Sequence, residues 1–356
     1  MKLYLYLISL AALHALGSCT REAGEDPNTP AALEARIAGV SLITRGGAAD
    51  AAAISSLGIY AVNVTAGEKI YGIAPAGTQR TYKLVNGVAS PDGDAQTLWL
   101  NLEKATIFSF HPASTSTTIT AGGDATTPNP TIKIPATAIT SVKTSIAGSG
   151  KTDFDFAEAG NDYMYGVKYD DSKPSGQEYL TTQPIADNGR ATGAAGQNVN
   201  IGLKHVFAQV KLEIKKGDYP GATQVSSVSY TRKMKTLASD GTTTMSLKDG
   251  TLANLAVAAD IAYSYTFSTY PVAGTGESGS PAMTITNYVV PNADKPESSV
   301  TIVVDGKTMT MAHKTEVAWE AGCIYTYTIQ INGTGLNLEG IDIVPWNDNQ
   351  QPGVTI

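Results

Sequence analysis

The sequence predicts an all-β protein built from two tandem β-sandwiches. Short segments that alternate apolar and polar residues recur along most of the chain, and alternation at period two is the mark of a half-buried strand. Pairs of Gly, Asn and Asp separate many of these segments, as turns between strands require. Apolar residues at helical spacing are nearly absent. A chain of 356 residues exceeds one small domain, since domains run to about 100–200 residues.

The composition agrees. Hydrophobic residues make up 42% of the chain, enough for real cores, and charged residues only 16%, against about 25% in an average soluble domain. Thr, Ser, Ala, Gly and Asn fill the difference. Seventeen Tyr stand against six Phe, which suits strands with one wet face, because Tyr buries its ring and keeps its hydroxyl in water. The formal net charge of −7 argues against a nucleic-acid partner, which calls for a basic patch.

The chain opens with Met1 and Lys2, then the apolar run from Leu3 to Leu16. This has the form of a secretory signal at residues 1–18 and is too short to span a bilayer. Leu16, Gly17, Ser18 and Cys19 resemble a bacterial lipobox, with small residues before the cut and a Cys to carry the lipid. The competing reading is an ordinary signal peptide with a chance Cys. A lipid on Cys19 leaves Cys323 without a disulfide partner. Residues 20–30 are acidic, contain Pro and lack periodicity, so they read as a tether.

Strand patterns then run, in order, over Ile37 to Ile43, Leu57 to Val64, Leu98 to Leu102, Ala105 to Phe110, Thr131 to Ile134 and Asp162 to Tyr169. They continue over Val206 to Ile214, Val225 to Tyr230, Ala262 to Phe267, Met283 to Val290, Ser299 to Val304, Thr308 to Met311 and Ile324 to Ile331. Val206, Ala208, Val210, Leu212 and Ile214 share one face; so do Cys323, Tyr325, Tyr327, Ile329 and Ile331. Asp305-Gly306 between two patterns is the strongest hairpin signal. Pro30 to Arg36 and Ala48 to Ala53 are the only helix-tolerant pieces. The polar stretch from Asp187 to Asn200 suits a domain boundary, giving sandwiches over 46–199 and 200–356.

Several segments together resemble the Bacteroides-type fimbrillin family of lipoprotein-derived pilins. They are the lipobox at Cys19, Arg45 after a first strand, AISSLGIYAV from Ala53, ATIFSFHP from Ala105, DYMYG from Asp162 and LKHVFAQVKLEI from Leu203. AWEAGCIYTYTIQI from Ala318 and GIDIVPW from Gly340 complete the set. The resemblance implies transthyretin-like Greek-key sandwiches, export as a lipoprotein held at the outer membrane, cleavage by an Arg-specific surface protease, and polymerisation by strand exchange. It makes residues 19–45 a lipidated propeptide, with maturation at Arg45-Gly46 and Arg36 as the competing site. Its partners would be copies of the chain or related fimbrial subunits, and a host or bacterial surface receptor. No cofactor and no catalysis are implied.

The segment after Gly340 is the candidate donor strand: Ile341 and Ile343 on one face, Val344 and Trp346 on the other, then Val354 and Ile356. The alternative is that Ile341 to Trp346 is the last strand of the second sandwich. A monomeric surface lipoprotein that binds glycan or matrix, and a fimbrial anchor that keeps its lipid, are the competing functions.

Other motifs carry less. SIAGSGKT from Ser145 to Thr152 resembles a phosphate-binding loop, but Ser145 replaces the first Gly, and the residues after Thr152 read as strand and turn. His111, His205 and His313 lack ligand spacing, so no metal site is expected. Asp170 and Asp171 lack an EF-hand pattern and read as a solvated turn. No GxSxG elbow occurs. Cys323 reads as a small buried hydrophobe. Trp99, Trp319 and Trp346 read as core residues, with a carbohydrate platform as the rival.

Overall fold

A computed structural model describes residues 31–32, 35–36, 54–63, 67–70, 80–85, 88–93, 96, 99–100, 105–114, 116–123, 128–147, 152–168, 199–272, 283–314, 317–345 and 354–355. Among these residues the regular structure is strand apart from 3-10 turns, the longest being Ala136–Ala138 and Ala159–Asn161. The chain is all-β.

The second half is a two-layer sandwich. One layer has the order Asp153–Asp155, Met283–Val289, Ala208–Lys216, Cys323–Asn332, Gly335–Pro345, Val354–Thr355; the other runs Val142–Ile146, Ala259–Pro271, Gln224–Met234, Ser298–Val304, Lys307–His313. Alternation explains the layers. Ala208–Lys216 buries Ala208, Val210, Leu212 and Ile214 and leaves Gln209, Lys211 and Glu213 half-exposed. Cys323–Asn332 buries Tyr325, Tyr327, Ile329 and Ile331, while Cys323 is only half-buried. These inward rows meet the aromatic rows of the facing layer in one core.

The hairpin at Asp305-Gly306 forms as the sequence predicts. Val304 pairs with Lys307, and the two loop residues have φ of 47° and 73°. Positive φ at both positions matches the strand twist, and Asp and Gly tolerate it.

The main sheet of the first half is curled on itself. Ser56–Asn63 pairs along one edge with Ala105–His111 and along the other with Arg80–Val85 and Gly67–Ile70. Arg80–Val85 pairs with Val88–Pro91, and Ala105–His111 pairs with Met164–Lys168, which pairs with Val199–His205. Ala35–Arg36 then joins Val88–Pro91 to Val199–His205 and completes the ring. The strand Val199–His205 belongs to the first sheet, and the chain passes to the second at Val206–Phe207.

The two halves interlock. Val142–Ile146 and Asp153–Asp155, from the first half, lie parallel to Ala259–Pro271 and Met283–Val289 and extend both layers of the second sandwich. A small sheet of Ile119–Thr120, Thr131–Lys133, Thr244–Ser246 and Leu252–Ala253 also draws on both. Phe207, Tyr288 and Val290 pack into the core of the first half.

Candidate assembly site

The ring of the first sheet is closed by its shortest member. Ala35 lies opposite Val199 and Arg36 opposite Asn200, in parallel; on the other side Arg36 lies opposite Val88, antiparallel. Among the described residues, pairing on the Val199–His205 side reaches Val199 and Asn200, and that strand continues to His205. Just upstream, Ala31–Ala32 pairs with Trp99–Leu100. If Ala35–Arg36 leaves, Val88–Pro91 and Val199–His205 both become open edges. Beside them Leu84 and Leu203 are buried core residues. An open edge above apolar side chains is a template for another strand.

The sequence reads Pro30 to Arg36 as helix-tolerant, and this is corrected: Ala31–Ala32 and Ala35–Arg36 are strands. Two small residues, or one with an Arg, show no alternation. The gap waiting for them decides their conformation. The strand expected over Ile37 to Ile43 lies outside the described residues, as do Cys19, Arg45 and Gly46.

At the other end, Gly335–Pro345 pairs with Cys323–Asn332 from Asn332↔Gly335 to Cys323↔Pro345. Ile341 is 3% exposed, and Ile343 packs partly buried on the same core. Val344 is half-buried and lies opposite Ile324. Val354 lies opposite Ile343 and Thr355 opposite Asp342, so the chain's last strand covers this sheet's edge. Ile341 and Ile343 are therefore part of the last long strand of their own sandwich. Trp346 and Ile356 lie outside the described residues. Within one chain this edge and the ring slot belong to different sheets.

The remaining motifs are separated. SIAGSGKT begins inside the edge strand Val142–Ile146 and leads into the strand Asp153–Asp155, where a phosphate-binding loop needs a helix. His111 Nδ1 is 2.7 Å from the Ser56 carbonyl, and His205 Nδ1 is 2.9 Å from Asp162 Oδ1. Among the described residues no cluster of His, Cys, Asp and Glu could hold a metal. Burial pushes the Cys323 thiol up, with Glu320 adding to the effect. Trp319 is 1% exposed and belongs to the core. Asp170, Asp171 and the side chain of Trp99 are outside the described set.

A family model described as fimbrillin-like matches residues 44–346. Among solved structures, a candidate cell adhesion protein from Bacteroides uniformis is similar at 14% identity, over 91% of this chain and 100% of that one, with a TM-score of 0.51. One from Bacteroides ovatus is similar at 12% identity, over 91% and 99%, also with a TM-score of 0.51. The tip fimbrial protein Mfa3 from Porphyromonas gingivalis, with C-terminal truncation, aligns at 9% identity over 88% and 98%, with a TM-score of 0.40. At these identities the first two likenesses concern the fold. No curated protein matches the chain.

Proposed function

The chain belongs to the fimbrillin-like family, and from that premise we propose that it is a structural pilus subunit, exported as a lipoprotein, cut after Arg45, and polymerised by strand exchange into a surface fibre for adhesion or biofilm. The observation that carries this reading is the ring closed by Ala35–Arg36. A net backbone hydrogen bond contributes only about 0.5–1.5 kcal/mol, so a plug paired, among the described residues, at two positions is weakly held. A longer strand from another subunit gains ladder along the rest of Val199–His205 and fills pockets with alternate side chains. Donor and acceptor surfaces differ, so the contact is head-to-tail and grows as a filament.

The pairing also bears on the cut site. Arg36 is paired on both sides, and a protease needs backbone it can draw out. Arg45 lies downstream of the plug, so a cut there places Ala35–Arg36 and the lipid at Cys19 on the same released piece. The donor in this reading is the segment from Ile341 to Ile356, its outer part Trp346, Val354 and Ile356 detaching first. Copies of the chain or related subunits accept it, an Arg-specific surface protease triggers it, and the outer membrane holds the precursor until then.

Mass spectrometry of the surface form tests this. A mature N-terminus at Gly46 is expected. A form that keeps acylated Cys19 in full would replace the reading with a lipid-retaining anchor or a monomeric binder.

A further inference from the structure

Where the two halves meet, the molecule leaves a cleft of about 320 Å3. Three distant stretches of sequence wall it. Tyr165 and Lys204 come from the first sheet, Asp249 and Gly250 from the turn of the small sheet, and Ala321 and Cys323 from the second sandwich. Small-ligand sites favour such junctions, at volumes from about 300 Å3 upward. The wall is shaped closely: Gly250 has φ of +73°, and a side chain there would strike the Tyr165 ring.

The polar groups of the cleft are poised for a ligand. Lys204 is half-buried, and among the described residues no carboxylate lies within ion-pair distance of it. Burial alone lowers its amine below the ordinary lysine value. A cation that loses water without gaining an anion is a cost to the fold, which a bound anion would relieve. On another wall, burial opposes ionisation of Asp249, but Thr251 and Ser246 donate hydrogen bonds to it and hold its carboxyl below the usual range. Among the described residues the cleft thus offers a cation without an ion-pair partner and a fixed acceptor.

We propose that this cleft binds a compact ligand that presents a carboxylate to Lys204 and O–H or N–H donors to Asp249. An acidic monosaccharide and a free amino acid share that chemistry. The site goes beyond fibre assembly, and binding is read on the unpolymerised chain, so strand exchange can fail without deciding it.

The test is calorimetric titration of the full chain with glucuronate, N-acetylneuraminate and glycine, with glucose as the neutral control. Saturable binding of at least one carboxylate probe is expected, with none for glucose. Lys204→Gln should weaken it at least tenfold with a melting temperature no lower than wild type. Ala321→Trp, a substitution at an exposed position of the wall, should block it in the same way. A response to the sugar acids alone assigns an acidic sugar; a response to glycine alone assigns an amino acid. No saturable binding of any carboxylate probe, or binding that survives Lys204→Gln undiminished, overturns the proposal.

Discussion

Arg36 lies directly opposite Val88, with their strands antiparallel, and this pairing joins a short upstream strand to one edge of the sheet that it closes. Everything proposed about assembly turns on whether that join is exchangeable.

Locking the plug should stop assembly. Ala35 and Val199 are opposite one another in register, the arrangement a disulfide needs, with Cα atoms about 4.4–6.8 Å apart. In a Cys323→Ala background, Ala35→Cys with Val199→Cys should give a chain that stays monomeric after cleavage under oxidising conditions. A reductant should restore fibres. Fibres that grow equally well with the bond intact would show that the slot is not the acceptor.

The two ends of the C-terminal segment should behave differently. Deleting residues 347–356 removes the edge pairing of Val354–Thr355 but keeps Gly335–Pro345. It should leave the melting temperature near wild type while blocking subunit addition. Deleting from Gly340 onward also removes Ile341, 3% exposed in the core. Loss of one such side chain costs about 2–5 kcal/mol, so the second sandwich should melt far earlier. Electron microscopy and thermal melts separate the two effects.

Arg232 should matter for stability although it is charged. It is 1% exposed, its Nη2 donates to the carbonyls of Val317 at 2.7 Å and Asp294 at 2.8 Å, and its guanidinium lies 4.1 Å from the Trp319 ring centre. Arg232→Met keeps the bulk but removes both hydrogen bonds from the guanidinium and its place over the Trp319 ring, and should cost roughly 2–4 kcal/mol in urea unfolding. A loss below about 0.5 kcal/mol, the level of an ordinary surface change, would contradict that account.

Asp305 should give the fold an acid-sensitive element. Its carboxylate accepts from the N–H of Gln224 at 2.8 Å and of Thr223 at 3.0 Å, and these bonds hold it below the usual carboxylate range. A lowered folded value stabilises above the unfolded value, about 3.9, and the benefit disappears as pH falls through the folded value. Asp305→Asn keeps a residue that tolerates φ of 47° but removes the charge. It should melt earlier than wild type at pH 7, with the gap closing as pH falls from about 4 into the acid range. A gap that stays constant across that range would place the effect elsewhere.

The alternation in Ala208–Lys216 and Cys323–Asn332 declares both strands and their buried faces in the sequence alone, because period two dictates which side chains share a side. The Asp305-Gly306 turn is legible for a similarly local reason, the positive φ that its two residues accept. The slot was not legible. Ala35–Arg36 has no pattern, and only the open edges of Val88–Pro91 and Val199–His205, far along the chain, make it a strand.

Local sequence thus set the all-β class, the strand faces and the tight hairpin, since each depends on residues within a few positions of one another. Tertiary structure decided which edges meet: the ring completed by an upstream strand, the sandwich extended by Val142–Ile146 and Asp153–Asp155, and the tail strand Val354–Thr355 laid on its own sheet. Backbone N–H and C=O groups are the same in every residue, so the choice of pairing partner is written in the shape of the whole fold, not in the residues that pair.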